Sequence, residues 1–273
     1  MPVVIFMVWA FMNTRTFKKR SVRPFSQDTL RPPGESLRLQ LEELEFEALV
    51  YFLVLLGAAV SGALFLFVSP SGAIAPIHAV GFAINFGIMI AVVVAGFTSG
   101  AKLRGIIRKV RLIRLGFDGE RHVGQTLNRL MLRGFTVYHD IVFEKAGQSF
   151  NIDHVVIGKG GVYAVETKTR RKPLDKKGEK QWKVRYDGKR LQFPHYTESK
   201  AIRQAQANAQ FLSQWLSDSV GKHVPVESLI IIPGWWVEST TYRPVVVLND
   251  QAVGEFRFEV GSPLVSCNSY SFG

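Results

Sequence analysis

The sequence predicts a soluble α/β domain preceded by a two-helix transmembrane hairpin. Three observations carry that expectation. Two long uncharged apolar stretches are joined by a short turn-forming link. Two alternating strands flank a Gly-Gly turn. Apolar residues at helical spacing occur on either side of those strands.

The 273 residues carry a formal net charge of +12 and a single cysteine, Cys267. One cysteine excludes a disulfide framework and a cysteine-built zinc site, and the histidines show no zinc-ligand spacing. A reducing, cytosolic setting for the folded part fits this usage. The positive balance points to a polyanionic partner, either nucleic acid or an anionic membrane surface.

Residues 1–46 form a basic N-terminal segment. Its start, MPVVIFMVWAFM, is apolar but short for a span, and positive charge follows it where a signal peptide would have charge in front. It reads as membrane-associated or disordered. The hairpin occupies 47–98, with spans at about 48–68 and 77–98 that contain no charged residue. His78 and Asn85 read as helix–helix or interfacial hydrogen-bonding groups. Buried core helices of a soluble protein are the alternative, disfavoured because apolar residues surround each helix on all sides. Arg15, Lys18, Lys19, Arg20, Arg23, Arg31 and Arg38 precede the first span. Lys102, Arg104, Arg108, Lys109, Arg111 and Arg114 follow the second, and the connector has no Lys or Arg. The positive-inside rule then places both ends, and the folded domain, in the cytoplasm, at the inner membrane if the source is bacterial. The basic linker 99–115 is suited to anionic headgroups.

The α/β domain is expected over 116–250. Asp118 can cap a helix over 118–133 that Gly134 ends, with Val123, Leu127, Leu130 and Met131 as its buried stripe. Glu120 lies near that stripe and points toward the sheet; a first-turn glutamate complementing the helix dipole is the plain alternative. Strands follow at 135–143, 151–158 and 161–169. A basic stretch comes next: Arg170, Arg171, Lys172, Lys176, Lys177, Lys180, Lys183 and Arg185, interleaved with Trp182. It suits either the grip of a nucleic-acid backbone or a solvated, lysine-rich hairpin that resists edge pairing. Ile202, Ala205, Ala209, Leu212 and Leu216 mark a helix at 197–217, with Gln204, Asn208, Phe211 and Trp215 as an adjacent stripe. The run ESLIIIP at 227–233 is a strand covered on both faces, and 242–248 is a further strand candidate. The tail, 251–273, shows no clear pattern.

The chemistry concentrates in NIDHVVIGKGGVYAVETKTR, 151–170. Strand side chains alternate, so Asp153, Val155 and Ile157 share one face, and Val162, Ala164, Glu166 and Lys168 another. If these faces coincide, two carboxylates and an ammonium meet on a rigid hairpin. That set can hold a hard divalent cation and a water nucleophile for phosphodiester hydrolysis. A surface ion pair worth about 0–1 kcal/mol is the plain alternative.

Taken in order, GERHVGQTLNRL at 119–130, NIDHVVIGKGGVYAVETKT at 151–169, the FP…RQAQANAQFL run at 193–212 and IIIPGW at 230–235 resemble the nuclease-related domain (NERD) family. That family is assigned to the restriction-endonuclease-like, PD-(D/E)xK superfamily. The resemblance covers roughly 116–248. It implies a restriction-endonuclease-like core, a mixed central sheet flanked by helices, with the active site at one end. By this match Glu120 is the acid of the first helix, Asp153 the metal-binding aspartate, Glu166 and Lys168 the E-x-K pair, and Gln204 the glutamine of the later helix. Asp153 follows Ile152 where the superfamily signature has proline. The implied activity is a membrane-anchored nuclease using Mg²⁺ (or Mn²⁺) on nucleic acid, DNA rather than RNA. Asp153, Glu166 and the Thr167 carbonyl would hold the cation, and Glu120 would complete its shell or hold one of its waters. Two other classes stay open: a tethered nucleic-acid-binding or signalling scaffold without turnover, and a transporter accessory built on the spans.

Overall fold

The computed structural model describes residues 30–68, 76–145, 147–174, 178, 181–239, 244–256 and 258. The apolar start of the chain, the basic residues 15–23, the connector 69–75, Lys176, Lys177, Lys180 and the tail after 261 lie outside the described residues.

Two helices form the hairpin. The first, α1 (Glu35–Val68), includes the acid-rich residues ahead of the apolar stretch. The second, α2 (Pro76–Asn128), has 53 residues, about 80 Å at 1.5 Å per residue. They run antiparallel: the Arg114 guanidinium lies 2.9 Å from the Glu45 carboxylate, and farther from the domain Gly96 sits against Ala58. Both are long and apolar enough to cross a membrane. Leu49, Phe52, Leu53 and Leu56 on α1 and Ile90, Val93, Val94 and Phe97 on α2 are exposed. A core helix pair of a soluble protein would bury such side chains.

The helix expected to start at Asp118 does not start there. Helix α2 runs unbroken from the apolar stretch through the basic residues 102–114 and past Glu120. Lys, Arg, Leu and Ile in that stretch are compatible with helix, no proline interrupts it, and Ile106 is buried. The helix-dipole reading of Glu120 falls with this correction, because Glu120 does not stand in the first turn of its own helix. After Asn128 the chain tightens into a 3₁₀ turn, Arg129–Arg133. Gly134 ends it in the left-handed region (φ 82°), its N–H directed at the Leu130 and Met131 carbonyls, as the sequence leads one to expect.

The main sheet has five strands in the order β1-β2-β3-β7-β9. Strands β1 (Thr136–Lys145), β2 (Gln148–Gly158) and β3 (Gly161–Thr167) form an antiparallel meander. Strands β7 (Val226–Ile231) and β9 (Val246–Leu248) add parallel to β3. A smaller sheet, order β6-β5-β4-β8, comprises β4 (Lys183–Tyr186), β5 (Leu191–Gln192), β6 (Thr197–Glu198) and β8 (Trp236–Ser239). The Asp187-Gly188 turn joins β4 to β5; β6 and β8 are too short to be seen in the sequence pattern.

Two helices cover the main sheet. Val123 and Leu127 of α2, with Leu130 of the 3₁₀ turn, pack on Val156, Tyr163, Val165, Leu229 and Ile231. Helix α3 (Lys200–Val220) covers the other face, with Ala209 and Leu212 on Ile152, Val155 and Ala164, and Ile202 and Ala205 beside Ile230 and Ile232. Residues 229–232 thus alternate between two cores, and each fully buried Leu or Ile contributes about 1.5–3 kcal/mol. The architecture is a mixed α/β sheet flanked by helices, in agreement with the coarse fold expected.

Candidate active site

The register of the β2–β3 hairpin places the two carboxylates. Ile157 opposes Val162, Val155 opposes Ala164 and His154 opposes Val165, so Asp153 and Glu166 come next to each other on the α3 face. Both are buried. The Asp153 carboxylate accepts the Thr167 backbone N–H at 2.8 Å. Lys168, just past the end of β3, donates from Nζ to Glu166 Oε1 at 2.6 Å and to Gln204 Oε1 at 3.1 Å. Asn208 Nδ2 donates to Glu166 Oε2 at 3.0 Å. Gln204 and Asn208 are four residues apart on α3 and therefore share a face. The sequence displays that spacing, and the structure adds Asn208 to the site.

Glu120 reaches the same place from α2. It is 8% exposed, and its Oε2 is buried without a hydrogen-bond partner. Close approach of α2 to the end of β3 depends on Gly119. A β-carbon there would stand 2.8 Å from the Thr169 Cβ and overlap its hydroxyl. Gly119→Ala is therefore expected to lower stability by about 1–3 kcal/mol through overpacking. Gly105→Ala on the same helix, with open space around it, should be neutral or stabilising by up to about 1 kcal/mol. Melting curves of the two variants check the contrast.

The acids crowd one another. Burial, followed by repulsion from Asp140 and Glu166, pushes the Glu120 carboxyl up to about 8. Burial, then Glu166 and Glu120, hold Asp153 well above the usual carboxylate range, against the pull of the Thr167 N–H and Lys168. Burial also raises Glu166, opposed by Lys168 and Asn208. One ammonium thus serves three desolvated carboxyls, and one carboxylate oxygen has no donor at all. A hard cation with oxygen ligands fits that deficit of positive charge. Among the described residues, however, no three His, Cys, Asp or Glu side chains are grouped tightly enough to form an ion shell by themselves. A cation here would need a backbone carbonyl and water beside the carboxylates, as Mg²⁺ commonly does.

Two supports behind the site escaped the sequence reading. Asp140, fully buried on β1, adopts φ 47°. It accepts from Arg31 Nε (2.7 Å), Ser36 N (2.9 Å), Ser36 Oγ (3.0 Å) and Asn151 Nδ2 (2.8 Å). It thereby caps α1 and ties the hairpin's base to the sheet. His154 is the second: its Nε2 lies 3.2 Å from Thr167 Oγ1, and its Nδ1 lies 2.9 Å from His139 Nδ1. Burial, together with His139, holds the His154 imidazole well below its ordinary pKa, so it is neutral.

The basic residues divide. Arg170 is engaged by Glu198 in a bidentate pair, at 2.7 and 2.9 Å through Nη2. Arg171 and Lys172 are exposed. Lys183 pairs with Glu238 at 3.1 Å and stands over the Trp182 ring, while Arg185 lies 3.9 Å from Glu238.

A mixed sheet flanked by helices, with an E-x-K pair and a facing aspartate at the end of its parallel strands, defines a nuclease-like α/β domain. Residues 115–233 match the family described as nuclease-related domain. No curated protein matches the chain. Among solved structures, one described as a protein of unknown function, AF1548, is 14% identical with a TM-score of 0.25; the alignment covers 47% of this chain and 58% of that one.

Proposed function

We propose that this chain is a membrane-anchored nuclease that hydrolyses phosphodiesters of nucleic acid, DNA in preference to RNA, with Mg²⁺ or Mn²⁺. The observation that carries the reading is the convergence of Asp153, Glu166, Lys168 and the partnerless Glu120 oxygen at one end of a nuclease-related domain. Asp153, Glu166 and the Thr167 carbonyl would hold the cation, and Glu120 would complete its shell or hold a water. When bound, the cation supplies Lewis acidity and a more acidic water.

The chain's own residues do the rest. Asn208 and Lys168 fix the two oxygens of Glu166, and the Thr167 N–H fixes Asp153. Gln204 steers the Lys168 ammonium, which offsets the charge that builds on the phosphoryl oxygens as water attacks phosphorus and the sugar oxygen leaves. Arg171 and Lys172 attract the strand without reading its sequence. The exposed apolar faces of α1 and α2 would lie in the bilayer, with the domain and both ends of the chain in the cytoplasm.

The full chain in detergent micelles, mixed with labelled DNA and RNA, is expected to cleave DNA faster with Mg²⁺ or Mn²⁺ and to stop with EDTA. A second reading, a tethered nucleic-acid binder without turnover, draws on Glu166, both of whose oxygens already have protein donors. Salt-sensitive DNA binding with no cleavage and no calorimetric heat for either cation would select it.

A further inference from the structure

The cavity unused by this chemistry lies at the same end of the sheet. Strands β3, β7 and β9 are parallel, with Thr167 paired to Ile231 and Ile231 to Leu248. The segments that leave them, 168–172, 232–236 and 249–251, therefore gather at one edge, as ligand sites of open α/β sheets do. There Lys172, Trp182, Gly234, Trp236, Asn249 and Asp250 line a cavity of about 580 Å³, within the range of small-ligand pockets.

Its walls are aromatic, and its lining carries one ammonium, Lys172, and one carboxylate, Asp250. Trp182 and Trp236 meet edge to face, centroids 5.9 Å apart. The Trp236 backbone N–H donates to the Trp182 carbonyl at 2.7 Å, which clips the two walls together. Trp182 is 40% exposed. Its neighbour in this region, Trp235, turns inward instead: it is 2% exposed and its Nε1–H reaches the Arg170 carbonyl. Trp235 thus lines the cavity from within the core, while Trp236 stands more open. Gly234, at φ 75°, leaves the floor open; a β-carbon there would come 3.8 Å from Lys172 Nζ. Asp250 accepts the Gly234 N–H and lies beside His122, both at 2.8 Å; against burial these contacts hold its carboxyl below the usual range, so the lining sets one carboxylate against the Lys172 ammonium. His122 is two residues beyond Glu120 on α2, so the cavity borders the helix that carries the candidate acid.

We infer that this cavity is a nucleobase subsite: it takes one unpaired base of a single strand against Trp182 and Trp236, with the neighbouring phosphate at Lys172. The inference rests on the reading of the acidic site as one that acts on nucleic acid, and it narrows the substrate to strands with unpaired bases. Every base has a π-face, so such stacking tolerates any sequence. In duplex DNA the faces are already stacked and the subsite stays unfilled.

The test is binding of the full chain in micelles, with EDTA present so that nothing is cut. The probes are a labelled single-stranded thymidine oligonucleotide and an abasic strand of equal length and charge, read by fluorescence anisotropy. The thymidine strand is expected to bind about tenfold tighter, the size one stacked base supplies. Trp182→Ala and Trp236→Ala should each shrink that preference and leave abasic affinity unchanged; Trp182→Phe should keep most of it. Lys172→Ala should weaken both strands alike. Equal affinity of the wild-type chain for both strands overturns the subsite while the nuclease reading stands, and this comparison needs no variant. Binding of neither strand overturns both.

Discussion

Asp153→Asn is expected to abolish cation-dependent cleavage and at the same time to raise the melting temperature of the cation-free protein. Asparagine keeps the size of the side chain and an oxygen that accepts the Thr167 N–H. What it removes is a buried negative charge beside Glu166 and Glu120. The loss of one cation ligand should cost several kcal/mol of transition-state stabilisation, a fall of about 10²- to 10⁴-fold in rate. The fold gains, because two crowded acids lose a repulsive neighbour; about 1 kcal/mol is the scale of such gains when a strained site is relaxed. Lys168→Met separates function from strain in the opposite sense. It should lower the rate and also the melting temperature, since Glu166 loses its charged donor at 2.6 Å. Initial rates on labelled DNA and melting curves in EDTA decide both. An Asp153→Asn variant that cleaves at the wild-type rate removes Asp153 from the chemistry, and one that melts lower contradicts the crowding.

The hairpin site was legible in the sequence because strand geometry is local. A period of two assigns Asp153 to one strand face and Glu166 with Lys168 to another; that the faces coincide is supplied by the structure, where Gly158 pairs with Gly161 across Lys159-Gly160. Helix α3 and strand β7 were legible for the same reason: 3.6-residue spacing in one, an unbroken apolar run in the other. Glu120 faces the sheet, as its spacing from Val123 implies, but its helix begins at Pro76 and not at Asp118. A change from apolar to basic composition after residue 101 looks like a boundary, but helix formation is indifferent to it, and α2 continues. Asp140 was illegible because its partners Arg31 and Ser36 lie more than a hundred residues away in the chain. Arg170 was grouped with its basic neighbours because Glu198, the residue that engages it, belongs to a two-residue strand with no pattern of its own. Local periodicity announces elements and faces; long-range ion pairs are announced by nothing in the sequence.

Without a divalent cation the protein should lose stability as pH rises from about 6.5 to about 8 and recover it when Mg²⁺ is added. The sign follows from the direction of the shifts. Glu120 moves from an ordinary 4.5 up to about 8 on folding, and Asp153 and Glu166 are also raised. A carboxyl with a raised folded pKa contributes stability that is complete below its unfolded pKa and disappears as pH climbs through the folded value. His139 and His154 act oppositely: burial lowers both from 6.5, so they destabilise the fold as pH drops and stop contributing about one unit above 6.5. The upper part of the window, above about 7.5, therefore reports the acids alone. Asp140 and Glu166 raise Glu120 and Lys168 opposes them, so Glu120→Gln should flatten the slope there by more than a surface Glu→Gln change does. Mg²⁺ binds the ionised acids, and its effect should grow with pH, reaching about 2.7 kcal/mol when its concentration is a hundredfold above its dissociation constant. Melting of the full chain in micelles, with EDTA and with Mg²⁺ across that window, checks each step. If Mg²⁺ leaves the melting temperature at pH 8 unchanged, the acids do not share an ion; if Glu120→Gln keeps the full slope, the partnerless oxygen is not where the strain resides.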